Sequence, residues 1–164
     1  MNKEISSIED FIKEIRKLKN NLDKDKDLFF RGESKDFENT RLQAKIFRDG
    51  ENGIIKKEHL MFNDFVAEHP NELITDKTTF DKLVKMQHYG LPTRLLDITS
   101  NPLVALYFAC NDEANKNEDG YVYILIREHR DIEYSHEDMP SIVSNLAMVD
   151  LKDIRYEGTD KSMW

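Results

Sequence analysis

Six side chains in two stretches have the types and spacing to do chemistry: Arg31 in the run Leu28-Phe29-Phe30-Arg31-Gly32, and Gln87, His88, Arg94, Asp97 and Thr99 between residues 86 and 110. That second stretch reads MQHYGLPTRLLDITSNPLVALYFAC and sets polar groups among apolar ones. His88 follows Gln87 just before a rigid Gly-Leu-Pro turn, where an imidazole can serve as acid, base or donor to a ligand phosphate, or simply satisfy a buried carbonyl. Asp97, flanked by Leu96 and Ile98, reads as a buried or half-buried carboxylate, and such a group needs a cationic or donor-rich partner. Arg94 and Arg31 are the candidates, and a structural pair accounts for the pattern as well as catalysis does. Arg31 leaves a short buried run next to a glycine, which lets the backbone turn sharply and leaves room for a ligand. Pairing with a carboxylate is the equal alternative. Thr99 and Ser100 carry hydroxyls that either cap the following helix or touch a ligand.

The elements that must position these groups follow from periodicity and turn chemistry. Ser6-Ser7-Ile8-Glu9 matches a capping box, and Ile8, Phe11, Ile12, Ile15 and Leu18 recur at helical spacing, predicting an amphipathic helix over residues 7–20. Residues 28–30 read as a buried strand and residues 33–53 as an irregular polar segment. Apolar positions from 54 to 68 predict a helix with Glu58 on the face of Phe62 and Phe65, as an ion-pair partner or part of a polar site. Thr78-Thr79 caps a helix over 80–88, which Tyr89-Gly90 and Leu91-Pro92 end. Residues 93–99 then read as a short extended segment. Asn101 caps a helix that starts at Pro102 and is apolar nearly all round to Ala109, so the pattern places it inside the fold. Residues 111–120 form a loop, 121–126 a strand, 127–138 a polar exposed segment, and a last helix starts near Pro140. Helices and short strands in this order predict a single α+β domain with a short mixed or antiparallel sheet and several packing helices. The boundaries are an N-terminal amphipathic helix and connector over 1–27, with the main domain over 28–164.

Composition excludes several classes. Hydrophobic residues make up 39% of the chain and aromatics 10%, enough to build a core and to rule out general disorder. The net charge of −8 disfavours a nonspecific phosphate-backbone binder, whose affinity comes largely from cations, so nucleic acid is not the expected partner. No apolar run approaches the ~20 residues that span a bilayer, and residues 1–10 lack the apolar core of a signal peptide, which predicts no membrane partner and a cytoplasmic location. The single cysteine, Cys110, lies in an apolar run and reads as a buried thiol. No Gly-rich phosphate loop, Gly-x-Ser-x-Gly elbow or His-Glu-x-x-His helix occurs. His129 and His136 lie in a solvated charge run whose spacing fits no ligand geometry, so no metal site is expected.

Phe30-Arg31-Gly32, followed by Gln87-His88-Tyr89-Gly90-Leu91-Pro92-Thr93-Arg94-Leu95-Leu96-Asp97, Thr99 and the apolar helix to Ala109, resembles the FRG domain family. Ser144-Asn145-Leu146-Ala147 resembles a later element of that family. The chain departs from the family where Leu42-Gln43-Ala44-Lys45-Ile46-Phe47-Arg48 lacks the proline of a Leu-x-Pro-x-x-x-Arg run. It also shows no closing Arg-Ile-x-x-Gln-x-Gly-x-Phe-like segment before Trp164.

The resemblance implies a domain of poorly defined function, often found in bacteria and phages and suspected in conflict systems as a toxin or defence effector, with a layout similar to ADP-ribosyltransferase folds. On that analogy NAD would be the cofactor. Arg31 would hold its pyrophosphate or ribose, His88 and Thr99 would line the pocket, and a glutamate, Glu133 or Glu157, would stabilise charge at the ribose. The catalytic set would then be His88, Arg31 and Thr99, and the ligand-binding set Arg31, Gln87, His88, Arg94, Asp97 and Thr99. The competing reading is a non-catalytic module in which Arg31, Arg94 and Asp97 form a buried network and the partner is a nucleotide, a nucleotide-containing small molecule or a protein.

Overall fold

The computed structural model describes residues 3–48, 53–150 and 152. The class is α+β: the described residues form five α-helices and a two-stranded antiparallel sheet. Its chain divides into two compact units, Met1–Arg41 with Asp97–Ile132, and Leu42–Leu96 with Glu133–Trp164.

The first unit is built on strand β1, Lys26–Glu33, which pairs antiparallel with β2, Tyr121–Glu128. The register sets Phe30 opposite Ile124, Arg31 opposite Tyr123 and Gly32 opposite Val122. On the far edge of β1, Phe30 exchanges two main-chain hydrogen bonds with Thr99, at 2.7 and 2.8 Å. Helix α1, Ile8–Asn20, starts as its spacing predicts, with Ser7 as the cap accepting from the Asp10 amide at 3.1 Å. Its Phe11 and Ile15 join Leu28, Phe30 and Ala105 in one buried cluster. Helix α4, Pro102–Cys110, is capped by the Asn101 carboxamide on the Leu103 amide. It meets β1 backbone to backbone: a Cβ on Gly32 would overlap the Ala105 carbonyl oxygen and sit 2.7 Å from the Ala109 nitrogen. Only glycine admits the helix this closely.

Three expectations fail in this unit. Helix α4 buries Ala105 and Ala109 alone, while Leu103, Val104, Tyr107 and Phe108 are exposed, because the close approach to β1 uses small residues and turns the large ones outward. Cys110 is exposed rather than buried, one residue past the alanine row that touches β1. Asp97 is also exposed, since residues 93–98 follow no regular strand and only Thr99 joins the sheet.

The second unit is helical. Helix α2, Glu58–Glu68, follows a turn of 3-10 helix over Ile54–Lys57, and α3, Thr79–His88, opens on a reciprocal Thr78–Asp81 capping box. Helix α5, Asp138–Asn145, ends in the Leu146–Met148 turn. Phe62, Phe65, Leu73, Leu83, Met86 and Ala147 form the core, with Leu91 and Leu95 packed against it. The expected irregular segment holds a buried anchor here too: Ile46 is 1% exposed, and its amide reaches the Thr93 carbonyl at 3.4 Å. Among the described residues, no helix is long and apolar enough to cross a membrane.

Candidate functional site

Strand geometry puts Arg31 and Glu33 on one face of β1, since side chains two apart point the same way. The Arg31 Nε donates to Glu33 Oε1 at 3.1 Å and its Nη1 donates to the main-chain oxygen of Asp97 at 2.8 Å. Arg31 therefore meets Asp97 through the backbone, not through the carboxylate expected from the sequence. The Glu33 side chain is 2% exposed, against 19% for Arg31. A charge buried to that degree is tolerated only when paired, and Arg31 is the pair. One oxygen, Glu33 Oε2, and the nearby hydroxyl of Tyr123 are buried with no hydrogen-bond partner among the described residues. Burial, and after it the Glu33 charge, push the Tyr123 hydroxyl pKa up.

Thr99 is committed by its backbone to Phe30, and its Oγ1 accepts from the Asn101 amide at 3.1 Å, leading the chain into α4. Beyond β1, Ser34 donates to Asp112 Oδ2 at 2.6 Å and Asn115 donates to the same oxygen at 2.7 Å. The Ser34 bond first, then that of Asn115, holds the Asp112 carboxyl below its usual value.

The second unit holds Gln87, His88 and Arg94. Every nitrogen of the Arg94 guanidinium is engaged: Nε on Glu58 Oε1 at 2.9 Å, Nη2 on Glu58 Oε2, and Nη1 on the Val143 carbonyl at 3.1 Å. The pair is almost wholly buried, with side chains 8% and 3% exposed. Glu58 thus takes the ion-pair role open to it on the Phe62 and Phe65 face, and Arg94 pairs with Glu58 rather than Asp97. Gln87 Oε1 accepts from the hydroxyl of buried Thr93 at 2.7 Å. His88 is the last residue of α3 and is exposed.

The fold brings Arg31, Asp97 and Thr99 to one corner of the first unit and places Gln87, His88 and Arg94 in the second. Glu33 was not singled out from the sequence, although the period-2 spacing of Arg31 and Glu33 is a signal for it. Of the two late glutamates, Glu133 is exposed and Glu157 lies outside the described residues. Among the described residues, no group of His, Cys, Asp and Glu gathers to hold a metal ion. Each of the two arginines faces a buried carboxylate, Arg31 that of Glu33 and Arg94 that of Glu58.

A family model described as the FRG domain matches residues 26–118, more than half of the chain. No curated protein and no solved structure matches it.

Proposed function

Given that this chain belongs to the FRG domain family, we propose that it is a non-catalytic protein-binding module whose two motif arginines are scaffold. The observation that carries this is the pairing of each arginine with a buried glutamate, Arg31 with Glu33 and Arg94 with Glu58. Charge spent on an internal carboxylate is not offered to a nucleotide. A protein partner is favoured over a nucleotide by the first unit's surface, where Leu103, Val104, Tyr107 and Phe108 on α4 and Ile124 and Ile126 on β2 are exposed. Large apolar residues left exposed on the surface in such number favour a protein contact over a nucleotide. The overall charge of −8 argues in the same direction against polyanionic ligands.

One observation favours a second reading, an NAD-dependent ADP-ribosyltransferase-like domain. The Arg31 strand, the Thr99 bridge beside it and α4 packed on Gly32 occur in the order that fold would use. That reading requires Arg31 to leave Glu33. The test is NAD consumption by the wild-type chain, Arg31→Lys and His88→Ala, each checked for fold by circular dichroism. The binding-module reading expects no consumption above a protein-free blank in any of them. Wild-type turnover that falls at least tenfold in a folded Arg31→Lys or His88→Ala chain overturns it. A photo-crosslinker at Tyr107 tests the partner directly, against the same probe at Lys116: a discrete adduct from Tyr107 alone is expected.

A further inference from the structure

The second unit contains a cavity of about 540 Å³ that none of the six candidate residues lines. Its volume lies in the range of small-ligand sites. Met61, Phe65, Tyr89 and Leu91 form its apolar wall, so two members of the Gln87 to Asp97 motif open onto it although neither carries obvious chemistry in the sequence.

Three rings make up one end of the cavity. Phe65 and His69 stack with centroids 4.6 Å apart, and Tyr89 sets its edge against both, at 5.4 and 5.3 Å. Phe65 is buried while Tyr89 is half exposed. The His69 Nδ1 lies 3.1 Å from the Phe65 carbonyl oxygen. A carbonyl can only accept, so Nδ1 carries the hydrogen, and in the neutral ring Nε2 is an acceptor.

The rim at this end is acidic. Asp64 and Glu68 line the cavity one helical turn apart on α2, about 5–6 Å between their Cβ atoms, close enough for one ammonium to reach both. The rim lysine, Lys57, precedes Asp64 by seven residues, roughly 10 Å along the helix axis, so the positive charge sits at the opposite end. Two carboxylates, the His69 imidazole and the half-exposed Tyr89 ring line the cavity together with its apolar wall.

We propose that this cavity binds a small organic cation, an amine carried on a flat apolar body. The ammonium lies between Asp64 and Glu68 and against the Tyr89 ring, where charge attraction and cation–π contact add, and the body rests on Met61, Phe65 and Leu91. The inference does not rest on the binding-module reading, since it uses neither arginine and no residue of the first unit.

Three probes of similar shape and different charge test it: phenethylamine, phenylacetate and 2-phenylethanol, titrated into the ¹⁵N-labelled full chain and followed by amide shifts. Phenethylamine is expected to give saturable shifts at Asp64, Glu68, His69 and Tyr89, with a Kd at least tenfold below that of phenylacetate. The double variant Asp64→Asn, Glu68→Gln changes only exposed carboxylates and is expected to bring the two Kd values within threefold. Equal affinity of amine and acid for the wild type, shifts that map away from this cavity, or no saturable shift with the amine each overturn the proposal.

Discussion

The two motif arginines make instructive opposites. Arg94 and Glu58 are 36 residues apart, meet fork to fork, and use all three guanidinium nitrogens, the third on Val143 of another helix. Arg31 and Glu33 are two residues apart on one strand, share a single hydrogen bond, and leave Glu33 Oε2 with no hydrogen-bond partner among the described residues. The first pair ties α2, the 93–95 segment and α5 together. The second fixes the local direction of one side chain, with the Asp97 carbonyl as a distant contact of Arg31. A buried ion pair therefore has two uses in one chain, one closing the second unit and one aiming a side chain in the first.

Breaking the stronger pair gives the largest effect. Glu58→Ala leaves Arg94 buried beside no carboxylate, and urea unfolding is expected to show a loss of about 3–5 kcal/mol. Replacing both members, Glu58→Leu with Arg94→Met, removes the uncompensated charge and is expected to recover most of that loss, to within about 2 kcal/mol of wild type. If the double variant is as unstable as the single, the pair is not the unit that closes the helices. Glu33→Gln is expected to cost less, about 1–2 kcal/mol, because Arg31 keeps the Asp97 carbonyl and an amide oxygen still accepts from it. A Glu33→Gln loss equal to that of Glu58→Ala would erase the distinction between the two pairs.

The smallest effect lies beside β1, at Asp112. Its folded pKa is depressed below 3.8, so its contribution to stability is complete above that value and is lost as pH falls through the lower, folded value. Asp112→Asn removes this dependence. Melting temperatures of variant and wild type are expected to differ at pH 6 and to converge as falling pH protonates the folded carboxyl.

Local rules made much of the fold legible. Ser7 and Thr78 cap the helices that their spacing announces, and Asn101-Pro102 starts α4 where turn chemistry puts it. Glu58 could be placed on the Phe62 face by counting alone. What could not be read was which apolar face finds a partner. The run from Leu103 to Phe108 is apolar on every side, and only the contact of Ala105 and Ala109 with Gly32 decides that the large residues face out. Asp97 misled for a related reason: alternation around it suggested a strand, but one bridge at Thr99 is all the sheet that forms there. The site was half legible. Arg31 and Arg94 were named, but which carboxylate each would find is a property of the tertiary fold for Arg94 and of strand pitch for Arg31.

On the proposed reading both arginines are scaffold and neither is offered to a nucleotide. Its most direct test follows the Nε–H resonances of Arg31 and Arg94 while NAD is added to millimolar concentration. Both hydrogens point at glutamate oxygens, Glu33 Oε1 and Glu58 Oε1. The account predicts that both resonances stay in place throughout the titration. A saturable shift of the Arg31 resonance, absent when NAD is replaced by chloride at equal ionic strength, would overturn that reading.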